Sequence, residues 1–139
     1  MSVQNLWGDL PEVGAQKTPA QILREQADLL TQMSRGAVQG KVEPMAPAEV
    51  NGYELGYRLN IVASALNFYS VSILEVTHPV TLYPVYVRSE LDPTYRRQAP
   101  DEESFVSALR KVLSSLEVRK VLSALILQTN SSATPANRE

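Results

Sequence analysis

The sequence contains no cysteine and only one histidine, one tryptophan and two phenylalanines. Without cysteine there are no disulfides, thiolate metal sites or cysteine nucleophiles. With a single histidine, and no acidic pair at ligand spacing on an expected strand, no metal site is expected. No Gly-x-Gly-x-x-Gly or Gly-x-x-x-x-Gly-Lys run occurs, so neither a dinucleotide nor a P-loop cofactor site has support. An excess of positive charge is missing as well. Thirteen basic against fifteen acidic side chains give a net charge of −2, which speaks against nucleic acid as a partner. Long apolar runs are absent too. The longest, residues 59–66 and 121–127, fall far short of the roughly 20 residues that cross a bilayer. Residues 1–13 carry no basic residue ahead of an apolar run, unlike a secretory signal. A cytoplasmic protein with no membrane partner is the expectation.

What is present has the composition of an ordinary globule, 44% hydrophobic and 20% charged over 139 residues, the size of one domain. Thr18, Pro19 and Gln21 form a helix start with a capping residue, a proline at the first helical position and a capping-box partner. Ile22, Leu23, Ala27, Leu30 and Met33 then make one apolar stripe, and Gly36 is suited to a left-handed end. Alternation predicts strands over 37–43, with Val38, Gly40 and Val42 on one side, and over 53–65, with Tyr57, Leu59 and Ile61 opposite Arg58 and Asn60. Residues 68–78 are β-branched and aromatic without clean alternation, as in a strand buried on both faces at one end. Residues 81–88 read as a further strand, at an edge or bulged because of Pro84. Pro44, Pro47, Asn51 and Gly52 mark one loop, and residues 89–100 another. A helix is expected from Asp101 with Phe105, Ala108, Leu109 and Val112 inward. It breaks at a Ser114–Glu117 box and restarts to about Gln128.

This order predicts an α+β fold: an antiparallel sheet of three to five strands flanked by one N-terminal helix and one or two C-terminal helices. An extended arm (1–17) precedes the domain (18–128), and a polar, disordered tail (129–139) follows it.

For function, His78 before Pro79 reads as a turn histidine bonded to backbone, because no nucleophile elbow accompanies it. No catalytic set is recognisable, so the chain is not expected to be an enzyme. In the arm, Trp7, Leu10 and Val13 recur every three residues among Gly8, Pro11 and Gly14. Leaving three apolar side chains in water is unfavourable, so they are expected to dock on the same chain or on a neighbouring subunit. The leading expectation is a non-enzymatic binding or adaptor protein acting through protein–protein contacts, as a homo-oligomer or complex subunit. The alternative rests on Tyr86, Arg88, Tyr95, Arg96 and Arg97. Arginine forks match phosphate or carboxylate, and tyrosine rings offer stacking faces, which suits capture of an anionic, nucleotide-like small molecule without turnover. The same residue types are enriched at protein interfaces. Arg58 shares a strand face with Glu54, but about 13 Å separates them along the strand, too far to pair.

Overall fold

The computed structural model of the chain describes residues 3–46 and 53–132. It runs α1 (Pro19–Met33), β1 (Gln39–Met45), β2 (Leu55–Ala63), β3 (Tyr69–His78), β4 (Val85–Ser89), β5 (Arg96–Ala99), α2 (Glu102–Leu113) and α3 (Leu116–Ser132), with one 3-10 turn at Ser64–Leu66. The five strands pair antiparallel in chain order. One helix before the sheet and two after it make the α+β fold that the sequence predicts.

The start of α1 follows from its first residues. The Gln21 amide donates to the Thr18 hydroxyl oxygen at 3.1 Å, and Pro19 fills a position whose N–H has no helical partner anyway. At the other end Arg35 (φ 54°) and Gly36 (φ 81°) turn left-handed, and the Gly36 amide donates to the Thr31 carbonyl at 2.9 Å. Removing the cap by Thr18→Ala should cost about 1 kcal/mol, with Thr18→Ser keeping most of it. Urea titrations of the two variants check this.

Gly40 and Val42 share the face of β1 that meets α1, with the buried Val38 just before the strand, and the lack of a side chain at Gly40 sets how close the two come. A Cβ there would sit 2.6 Å from both the Cα and the carbonyl oxygen of Ala27. At the opposite end of the sheet, Asp101 and Ser104 cap α2 reciprocally, the Ser104 amide donating to the Asp101 carboxylate at 2.9 Å and the Asp101 amide to the Ser104 hydroxyl at 3.1 Å. The Ser104 hydroxyl, with its amide, holds the Asp101 carboxyl below the ordinary range. Phe105, Ala108, Leu109 and Val112 all face inward from α2. One core results, in which Leu59, Ile61, Ile73, Val76, Val85 and Val87 of the sheet meet Leu23, Phe105, Leu109, Val118 and Leu125 of the helices.

The structure corrects several element boundaries. Residues 89–100 are not all loop, since Arg96–Ala99 pairs with β4 as the edge strand β5. Only Ala99 of its four residues is buried, so polarity does not alternate there and the strand comes from its ladder. Strand β4 starts at Val85, which leaves Pro84 outside it, after a cis Tyr83–Pro84 bond. Pro44 lies inside β1 rather than after it, as an edge strand permits. The α3 cap is Ser115, whose hydroxyl accepts from the Val118 amide at 3.3 Å, whereas Ser114 ends α2 and donates to the Arg110 carbonyl at 2.6 Å. Helix α3 continues through Ser132, so residues 129–132 are helical. The loop residues 47–52 and the tail beyond Ser132 lie outside the described residues.

Candidate functional site

All three helices pack against one face of the sheet, whose residues join theirs in a single core, and the other face carries a row of charges. Glu43, Arg58, Glu75, Arg88 and Arg96 stand directly opposite one another on successive strands from β1 to β5. Opposite residues of antiparallel strands project to the same side. Arg58 donates to the Glu75 carboxylate through Nη2 at 2.7 Å and Nε at 3.2 Å. Arg88 reaches the other Glu75 oxygen and also donates to Glu90 at 3.1 Å.

Burial pushes the Glu75 carboxyl up, but the hydrogen bonds from Arg58 and Arg88 outweigh it and hold the carboxyl below the ordinary glutamate range. The same bonds raise both guanidinium groups. Glu90 is pushed up by burial and by its neighbour Glu75.

Glu75 therefore binds its proton more weakly folded than unfolded. Its contribution is complete above its ordinary value of 4.5 and is lost as pH falls below that. Glu90 works in the opposite sense just above pH 4.5, where its folded carboxyl keeps the proton longer and rising pH costs stability. Glu75→Gln should cost roughly 1–2 kcal/mol at pH 7, since half-exposed pairs contribute up to about 1 kcal/mol each. The variant should also flatten the acid-side loss seen by urea unfolding at pH 3, 5 and 7. Parallel losses in both proteins would remove the row from the account.

The sheet divides the predicted anion-binding residues. Tyr86, Arg88 and Arg96 project from the charged face, Tyr86 opposite Gln98 and Arg96 opposite Arg88. Arg97 stands opposite the buried Val87, on the helix side. Tyr95 packs against the core, with its hydroxyl buried and without a partner. Arg88 is taken up by Glu75 and Glu90, whereas Arg96 has no ion pair among the described residues. The lone acid Glu75 inside the β-branched run of β3 was a signal in the sequence for a cross-strand basic partner.

His78 is 2% exposed. Its Nδ1 lies 2.7 Å from the Pro79 carbonyl oxygen, and its ring stacks on Tyr57 at 6.0 Å. Its Nε2 is buried without a partner, so no nucleophile of the described residues meets the imidazole.

On the helix side a groove separates α1 from α2 and α3. Its larger part, about 600 Å³, runs between Ile22 and Met33 of α1 and Val106, Leu113 and Leu122 of the other two helices. A smaller apolar part, about 180 Å³, shares Gln26, Met33, Leu113 and Leu122 and has Leu59, Ile61 and Ile73 as its floor. Met33 on its wall is 72% exposed. Lys17, Glu25, Glu102, Arg110 and Arg119 edge the wider part. Lys17 pairs with Glu25 at 2.9 Å, while Arg110 and Arg119 form no ion pair among the described residues.

The arm leads directly into this region through Lys17, but its apolar residues lie in solvent. Trp7 is 87% exposed, Leu10 82% and Val13 93%. Its hydrogen bonds up to Gly8 are internal: the Trp7 amide donates to the Asn5 side chain at 2.9 Å, and that side chain donates to the Gly8 carbonyl at 3.1 Å. Trp7, Leu10 and Val13 thus stand exposed rather than packed against the helices or sheet of their own chain.

Among the described residues no three His, Asp or Glu side chains gather as metal ligands, and no helix is long and apolar enough to cross a membrane. No family model, curated protein or solved structure matches this chain.

Proposed function

We propose that this chain is a non-enzymatic binding protein that acts through protein–protein contacts, as a homo-oligomer or a subunit of a complex. The observation that carries the reading is the arm, where Leu6, Trp7, Leu10 and Val13 are each more than 80% exposed within a few residues of one another. Single exposed apolar side chains are ordinary, but a run that includes a tryptophan marks a contact surface. The groove between α1 and the other two helices supplies a second apolar surface on the same protein. Light scattering coupled to gel filtration tests the homo-oligomeric form. A particle of twice the 15.4 kDa chain mass or more is expected, with Trp7 emission shifted to the blue of free tryptophan. A 15.4 kDa particle with water-like emission would reject self-association.

A second reading, capture of an anionic, nucleotide-like molecule, draws on Arg96 standing beside Arg88 and Tyr86 without a carboxylate of its own. A thermal-shift screen with nucleotides separates the two. Saturation to about 100 times Kd would stabilise the protein by about 2.7 kcal/mol, and Arg96→Ala should abolish that gain.

A further inference from the structure

We infer that the groove between α1 and the α2–α3 pair is the docking site for the arm of a second copy of this chain. The inference rests on the protein–protein reading above and names the surface and occupant for it.

Shape supports the match first. Trp7, Leu10 and Val13 are spaced by three; Gly8 is left-handed (φ 74°) in the undocked arm, and docking in an extended polyproline-type form, which winds three residues per turn, would set all three along one edge. At about 3.1 Å per residue the stretch from Trp7 to Val13 covers about 19 Å. The fifteen residues of α1, which form one wall, span about 22 Å. The groove offers the arm apolar walls at Met33 and Leu122 above a floor of Ile73.

Charge supports it independently. Between residues 3 and 16 the arm carries Asp9 and Glu12 and no basic residue. Neither acid has an ion pair among the described residues. The groove edge carries Arg110 and Arg119, equally unpaired. In the three-residue winding Asp9 and Glu12 share an edge next to the apolar one, where they meet the rim as the apolar edge enters the groove.

The arm's root explains why exchange closes into a pair. Lys17, the last arm residue, is tied to Glu25 at the mouth of its own groove. Each arm thus leaves its fold beside the groove that receives the other copy's arm. A two-fold axis there makes both crossings short and leaves no arm or groove unfilled.

The test is light scattering on the full chain, a deletion of residues 1–14, the R110E/R119E double variant, D9K/E12K, and all four changes together, with circular dichroism confirming that each is folded. The full chain should have twice the mass of one 15.4 kDa chain. The deletion and both double variants should run as single chains, and the combined charge swap should double the mass again. Trp7 emission should be blue-shifted in the paired forms and water-like in the single forms that keep the arm, while the deletion, which lacks the only tryptophan, is read by its mass. A deletion variant that stays oligomeric overturns the inference and leaves the protein–protein reading standing. A single full-length chain with blue-shifted Trp7 overturns it in favour of docking on its own groove. A single chain with water-like Trp7 removes self-association altogether, and failure of the folded swap to re-pair rejects the proposed site.

Discussion

Gly40→Val pushes α1 off the sheet and destabilises the protein by about 3 kcal/mol or more. Even Gly40→Ala places a Cβ 2.6 Å from the Ala27 Cα and carbonyl oxygen. Restricting the unfolded chain by replacing glycine contributes about 0.4–1 kcal/mol in favour of folding. Overpacking a close-packed site costs about 1–3 kcal/mol and sometimes more, so the clash decides the sign. The obstacle is backbone, which cannot rotate away as a side chain does. Pairing the change with Ala27→Gly removes the Cβ contact at 2.8 Å and leaves both 2.6 Å contacts, so it should not rescue stability. Urea unfolding of the two single variants and the double variant decides the matter, and full recovery in the double would show that side chains set the distance. Because α1 is one wall of the groove, the same variant should weaken self-association at temperatures where it remains folded.

Phe105→Ala should have the largest effect of any single truncation, about 3–5 kcal/mol. Phe105 is fully buried and meets Tyr83 edge-to-face at 6.5 Å, so removal loses both apolar burial and a ring contact. Domains of this kind are stable by about 5–15 kcal/mol in total, and about 4 °C of melting temperature accompanies each kcal/mol. A fall of about 12–20 °C is therefore expected by differential scanning calorimetry. Phe105→Leu, which keeps most of the volume, should lose less than half as much. Equal losses in the two variants would mean that ring geometry, not volume, holds α2 on β4 and β5.

Residues whose role depends on near neighbours could be read in advance. Thr18, Pro19 and Gln21 marked the start of α1, Gly36 its end, and Asp101 the start of α2, because a cap acts within one helical turn. The inward set of α2 and the inward residues Val38, Leu59 and Ile61 followed from periods of 3.6 and 2 residues. Where those periods are short or interrupted the outcome was different. Strand β5 has four residues and one buried side chain, too few to show alternation. Ser114 and Ser115 both suit a cap, and only the path of the chain out of α2 selects between them.

The Arg58–Glu75 pair joins residues seventeen apart, and its existence depends on the register of β2 against β3, which includes a shift between Leu59 and Asn60. Tyr86, Arg88, Tyr95, Arg96 and Arg97 are close in sequence, yet strand alternation sends Arg96 and Arg97 to opposite faces. Composition and local pattern were thus sufficient for the α+β class, the starts of α1 and α2, the inward set of α2 and the absence of cysteine chemistry. The charged row, the groove and the undocked arm emerged only with the assembled layers. They depend on contacts between residues far apart in the chain, and no local period encodes those distances.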